Sequence, residues 1–417
     1  MPPRRRKPNG DPEPESERER VSPSAEDLEP PPPFFNTTFS THRASPLYIG
    51  ANDLTYARLQ TLSQRLRDTL VGDVVRGVQV GLEGSDSSLG RAGPLEKVGI
   101  RWVDVDALLG AEDTEADLSR DLDESGLERT GQSKKRALVF EMRYENALCT
   151  AVLMPLLTEK AQPASDGLQS ANELDIPGLL ADESSAEDTH FLHLPLLLLR
   201  MPTPLKSIIV DFLSSTFDCR INPMRLGTKS LTAAWEKWIQ DAGLPSKGPL
   251  AKDMVLTLGF YVPPTEAGDG EDEQAPERLG IKSIDIIFPA DELRRFTKEG
   301  RVLANGRTGK RKAPTQGYED DARKRKKLAG GKSDEGWAWR EDRGTKQQQP
   351  FLNAVGAYLD EHLALDLFHP GVRVTKIACG GFVLSEGRIK VFTPPSDDGV
   401  FAPVKNLVAD LIASAAG

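Results

Sequence analysis

The sequence predicts an α+β fold: a mainly antiparallel curved sheet with helices packed on it, in two α/β subdomains. Three observations carry this. Strand-like apolar runs follow one another across short turns, as in ALVFEMRY (137–144) before NALCTAVLM (146–154), and again in FVLSEGRIKVF (382–392). Stripes of helical period stand grouped between those runs instead of alternating with them one by one. No glycine-rich turn joins a strand to a helix, as a parallel nucleotide-binding unit requires.

Residues 1–33 are rich in Pro, Glu, Arg and Ser, end in EPPPP, and read as a disordered tail. Order begins at FFNTTFSTHRASPLYIG (34–50), where Phe35, Thr37 and Phe39 alternate. A helix from about Asn52 follows, with Leu59, Leu62, Leu66 and Leu70 on one side. Strands are expected over 74–82, 98–105, 137–144 and 146–154, the last two forming a hairpin that turns at Glu145-Asn146. Acidic stretches at roughly 110–132 and 159–189 read as solvated loops, and the N-terminal domain is placed at 34–200.

The C-terminal domain spans 201–395. Thr203 and Pro204 suit a helix start, and Leu205, Ile208, Ile209, Phe212 and Leu213 make one apolar stripe. The period then becomes two: Phe217, Cys219 and Ile221 alternate with Asp218, Arg220 and Asn222, predicting a strand over 216–222. A helix near 230–242 carries Leu231, Trp235 and Trp238 and is stopped by Gly243. Strands at 253–262 and 282–288 flank an acidic loop, 264–278. Asp291–Lys298 reads as a short helix closed by Gly300, and PFLNAVGAYLDEHLALDLF (350–368) as a longer one, with Leu352, Val355, Leu359 and Leu363 in a stripe. VRVTKIAC (372–379) and the hairpin FVLSEGRIKVF close the fold, with Gly387 supplying a positive φ for the tight turn. Residues 396–417 form a tail with a small helix through Val404, Leu407, Val408 and Leu411.

Composition excludes several function classes. The 417-residue chain has a net charge of −10, which argues against a protein that coats nucleic acid over its whole surface. Three cysteines, Cys149, Cys219 and Cys379, lie far apart in apolar runs with no CxxC pair, so a reducing compartment and structural thiols are expected. The N-terminus lacks the apolar segment of a secretory signal, and FLHLPLLLLRM (191–201) is too short to span a bilayer. An intracellular soluble protein is the expectation. NGRTGKRK (305–312) fails the phosphate-loop spacing, with Arg311 where a metal-binding Ser or Thr belongs. His190 and His193 lack further ligands at a usual spacing. His42, His362 and His369 form no Ser/His/Asp or Cys/His pattern. No catalytic, metal or cofactor residue is nominated, and the protein is read as a non-enzyme without cofactors.

Residues 301–346 break the fold pattern, with fourteen Lys and Arg against seven acidic residues. Lys310, Arg311 and Lys312, a ten-residue spacer, then Arg323, Lys324, Arg325, Lys326 and Lys327 match a bipartite nuclear-import signal, which places the protein in the nucleus. The same charges suit nonspecific contact with DNA phosphates.

LKSIIVDFLSSTFDCRINPMRL (205–226) resembles the signature of the CENP-L family of inner-kinetochore subunits, in a fungal form. FFNTTFSTHRASPLYIG, DMVLTLGFYVPP…IKSIDIIFPADELRRF (253–296) and GGFVLSEGRIKVF (380–392) agree with it in order. The resemblance implies a non-enzymatic subunit of the constitutive centromere-associated network. It implies pairing with a CENP-N-like protein through the C-terminal regions, other inner-kinetochore partners, and a basic groove for centromeric DNA or nucleosomes. From this, Arg388, Ile389, Lys390, Val391 and Phe392 are expected to bind the partner as an unpaired final strand, with Lys390 guarding the edge. The alternative is a general DNA- or chromatin-binding module of recombination or repair type.

Overall fold

The computed structural model describes residues 30–75, 92–110, 135–157, 190–244, 251–261, 281–305, 336–341, 349–394 and 401–417. Its strands are β1 (Thr38–Ala44), β2 (Leu47–Tyr48), β3 (Leu95–Asp104), β4 (Arg136–Tyr144), β5 (Ala147–Met154), β6 (Phe191–Leu192) and β7 (Leu196–Arg200) in the first half. The second half supplies β8 (Ile221–Pro223), β9 (Met254–Phe260), β10 (Ser283–Phe288), β11 (Val372–Ala378), β12 (Phe382–Ser385) and β13 (Arg388–Val391). The helices are α1 (Tyr56–Val75), α2 (Val105–Leu108), α3 (Thr203–Phe217), α4 (Thr228–Ala242), α5 (Leu293–Asn305), α6 (Pro350–Leu363) and α7 (Phe401–Ala416).

Eleven strands make one sheet in the order β10-β9-β11-β12-β13-β1-β7-β5-β4-β3, with β8 also on β1; β2 and β6 form a separate pair. Every pairing is antiparallel. The mixed α+β class is as the sequence predicts, and a single sheet runs through both halves. The first ordered strand, β1, is the seam, taking β7 on one side and β13 then β8 on the other.

Burial patterns record how the sheet is covered. β4 and β5 carry near-continuous buried runs, Ala137 to Phe140 and Cys149 to Met154, because both of their faces are packed. On one face, α1 and α3 supply Leu59, Leu66, Leu205, Ile209 and Leu213. On the other, Leu108, Val404, Leu411 and Ile412 of α2 and α7 join Val139, Val152 and Leu198. β11, β12 and β13 instead alternate buried and unburied residues, because only this second face continues under helices, α4, α5 and α6.

Several local expectations are corrected. The helix that starts at Thr203 runs on to Phe217, into the strand expected over 216–222, and ends on Asp218 in the left-handed region (φ 44°), so Cys219 follows a helix end instead of sitting mid-strand; of that stretch only Ile221 and Asn222 pair with β1, together with Pro223. α1 extends to Val75, so the start of the expected strand 74–82 is helical, and the rest of that stretch lies outside the described residues. α5 runs through Gly300 to Asn305, and Trp337 is buried, so residues 301–305 and Trp337, within the stretch read as an insertion, belong to the folded half.

The final hairpin differs most. β13 is hydrogen-bonded to β12 on one side and to β1 on the other, with Thr38, Phe39 and Ser40 opposite Lys390, Ile389 and Arg388. The strand expected to be a free edge is therefore interior, because a segment from the far N-terminus returns to pair with it. Gly387 does not take a positive φ. Its carbonyl accepts from Thr41 N at 3.1 Å, and that of Glu386 from Leu226 N at 2.7 Å, so the turn is held from outside.

Candidate nucleic-acid interface

Strand register assigns each side chain of the C-terminal half to a face. Ile389 and Val391, at 1% and 2% exposure, point into the helix-covered core with Leu384, Ile377 and Leu256. Their neighbours Arg388 and Lys390 point the other way. Pairing aligns them with Ser385 and Val383 on β12, Ser40 and Thr38 on β1, and onward with Lys376, Thr257 and Asp285. None of these residues is buried, so no helix covers this face among the described residues.

The uncovered face is cationic. Arg388 is exposed, and Arg373, Lys376 and Lys390 share its side of the sheet. Arg373 and Lys376 stand three apart, a spacing that would put them on opposite faces of a regular strand. An irregularity between Val374 and Lys376 inserts Thr375 and restores them to one side. Aromatic rings lie among the charges: the Arg373 guanidinium is 4.1 Å from the Tyr261 ring centroid, and the Lys252 and Lys390 ammoniums are 5.1 and 5.2 Å from that of Phe392. Among the described strand residues of this face, Asp285 is the one carboxylate, and it accepts from Thr257 Oγ1 at 2.6 Å.

At the border with the N-terminal half the charges crowd. Burial and then the nearby Arg388 push the Lys206 ammonium below its ordinary pKa. Burial and then Lys206 likewise lower His42. The Nδ1 of His42 is buried without a hydrogen-bond partner among the described residues. Three basic side chains held this close repel one another when charged, and an anion laid between them relieves that repulsion.

A run of cations across an open sheet, interleaved with rings, suits phosphate contact by charge and base or sugar contact by stacking. Of the residues expected at a partner edge, Arg388, Lys390 and Phe392 lie on this face, while Ile389 and Val391 are core. Lys310, Arg311, Lys312 and Arg323 to Lys327 lie outside the described residues. His42, Lys206, Arg373 and Lys376 carry no motif that marks them in the sequence as binding residues. Their alternation with Val372, Val374 and Ile377 is visible there, but which of the two faces stays open is not.

Among the described strands, β10 and β3 end the main run of the sheet. Phe260 N donates to Lys282 O, so by antiparallel alternation the N–H groups of Ser283, Asp285 and Ile287 face away from β9. Ile287 is 61% exposed beside that edge. On β3 the pair Arg101–Glu141, 3.2 Å apart, and Glu96 and Lys97 break up the apolar surface.

The family model for CENP-L, described as Centromere protein L, matches residues 33–416. The chain belongs to the CENP-L family. Nearly the whole folded chain is covered, both halves of the sheet included, and the family is a structural one of the centromere and kinetochore, not known for catalysis. No curated protein matches the chain closely enough to add to this. Among the described residues of this CENP-L family chain no group of three His, Cys, Asp or Glu is placed to hold a metal ion, and no helix is long and apolar enough to cross a membrane.

Proposed function

We propose that this CENP-L family chain is a structural subunit of the inner kinetochore that lays centromeric DNA across its open sheet face and pairs with a CENP-N-like protein through the β10 edge. One observation carries the DNA reading: Arg373, Lys376, Arg388 and Lys390 align on the uncovered face, with Lys206 and His42 at its border. Charge reversal at Lys376, Arg388 and Lys390 is expected to weaken binding of a duplex and to flatten its salt dependence, by about 0.9 in log–log slope for each phosphate no longer neutralised. Fluorescence anisotropy of a labelled duplex at several salt concentrations, with and without the partner, measures both. An unchanged affinity and slope in the triple variant would remove DNA from this face. Full affinity of the isolated chain for naked DNA, unaltered by the partner, would instead favour a general chromatin-binding module.

The partner reading rests on the outward N–H groups of β10 and on exposed Ile287. A strand added there gains a ladder of hydrogen bonds that β13, paired on both sides, has no room to form. Asp285→Pro removes one outward donor on an edge strand, where proline is tolerated. Co-purification with a CENP-N-like protein should be lost while thermal stability stays near that of the parent. An intact heterodimer in that variant moves the interface to another surface.

A further inference from the structure

On the helix-covered side of the sheet, remote from the open face, α4 and α5 both lean on the first turn of α6. Between them is a cleft of about 830 Å³. Its α5 wall presents Arg294, Lys298 and Arg301, which at i, i+4 and i+7 form one stripe. Its other wall holds Ile239 of α4, 7% exposed, and Leu244 just beyond the helix end, and Val302, 58% exposed, stands at the mouth. The acidic side chain in the lining is Glu236, 3% exposed at the base, where one carboxylate oxygen is occupied by Leu352 N at 2.7 Å and the other has no partner among the described residues. Lys298 and Arg301 are exposed on the wall, with no ion pair to a described residue.

We infer that this cleft is a docking groove for an acidic peptide segment of a partner protein, one bearing carboxylates on one stripe and an apolar anchor on the next. Charge complementarity argues for the acidic stripe. Exposed Val302, beside the partly buried Leu244, argues for the anchor, since an apolar side chain left wet gains nothing from a phosphate backbone. The volume falls in the range of pre-formed binding clefts, and two helices flanking a groove suit a third segment laid along it. A duplex spread over the rim would touch the cations and leave the cleft empty.

The probe is a fluorescein-labelled synthetic helical peptide of about four turns, with glutamates at i, i+4 and i+7 and leucines on the adjoining stripe, set against a scrambled peptide of the same composition. Saturable binding to the full chain is expected, with the scrambled peptide at least tenfold weaker. Lys298→Glu with Arg301→Glu, and separately Val302→Asp, should each reduce affinity about tenfold or more, while Lys390→Glu leaves it unchanged. These positions are exposed, so the variants are expected to keep the parent melting temperature, which is measured alongside. Absence of saturable binding, equal binding of the scrambled peptide, or complete competition by a short DNA duplex would overturn the inference. Failure here leaves the DNA and β10 tests untouched, because no residue lining the cleft belongs to the open face or to β10.

Discussion

Glu236 shows how one buried side chain ties sequence-distant elements together. Its Oε1 accepts from Leu352 N, satisfying a free donor at the start of α6, and it attracts Arg340. Arg340 in turn donates to Asn353 Oδ1 at 2.6 Å and lies 3.8 Å over the Phe368 ring, and burial lowers it to about 10. Burial dominates at Glu236 and pushes its carboxyl from 4.5 to about 7, ahead of the opposing hydrogen bonds and Arg340. A folded-state pKa above the unfolded one means that the native state holds the proton more tightly. The associated stability is complete below about 4.5 and is lost as pH rises through about 7. The loss amounts to roughly 3 kcal/mol. Glu236→Gln keeps an acceptor for Leu352 but cannot ionise. Denaturant unfolding at pH 5 to 8 should therefore show the variant gaining on the parent as pH rises, and a constant gap would contradict this origin. The thiols follow the same physics without a role in chemistry: burial raises Cys149, Cys219 and Cys379 each to about 11. Native-state thiol labelling at neutral pH should be slow at all three, and Cys219→Ala should lower stability without altering DNA or partner binding.

Among the elements, the α5–α6 contact depends on a missing side chain. A Cβ on Gly300 would lie 1.8 Å from the Pro350 carbonyl oxygen, so the two helices approach to backbone contact. This is why Gly300 sits inside α5 and does not close it. In an exposed helix Gly→Ala gains about 1 kcal/mol; Gly300→Ala is expected to lose about 2 kcal/mol, because the clash is with backbone that has no rotamer to yield. A melting temperature at or above the parent's would show that α5 can shift without cost. Around the contact, Phe288, Phe296 and Phe351 pack with centroids 5.3 to 6.0 Å apart, so separating the helices also loosens the end of β10. α3 shows the opposite case. Its apolar stripe continues to Phe217, buried at 1% exposure, and Asp218 reverses the chain in the left-handed region. The alternation of Phe217, Cys219 and Ile221 imitates a strand only because a helix end and a short strand happen to meet there.

For the whole molecule, the sheet's seam matters more than its two halves. β1 joins the hairpin β12–β13 to β7 and β5, so deletion of residues 34–44 should unfold both cores together in a single transition, not one half alone. Calorimetry resolving two independent transitions in that deletion would argue for separable domains. The basic segment makes a different prediction. Replacing Lys310, Arg311, Lys312 and Arg323 to Lys327 with Ala should change thermal stability little, since solvated charges contribute little, while nuclear accumulation falls in a cell assay. A variant that stays fully nuclear would point to import on a partner.

Leu363, read onto the α6 stripe, is 58% exposed where that helix stops, short of the expected 368. The class of fold, the apolar stripes of α3, α4 and α7 and of α6 as far as Leu359, the β4–β5 hairpin turning at Glu145-Asn146, and the burial of the three cysteines were all legible along the chain. These rest on local periodicity, which a chain carries within a few residues. The family, too, was legible in ordered motifs. Only the tertiary structure decided that β13 is interior and β10 an edge, that Lys376 joins Arg373 through an irregular residue, and that Lys206 and His42 meet Arg388. Such facts depend on which distant strand occupies each side of a backbone and which face is left without a helix. Both are outcomes of packing between segments hundreds of residues apart, and hydrogen-bonding groups of the backbone, identical at every position, leave no trace of that choice in the local sequence.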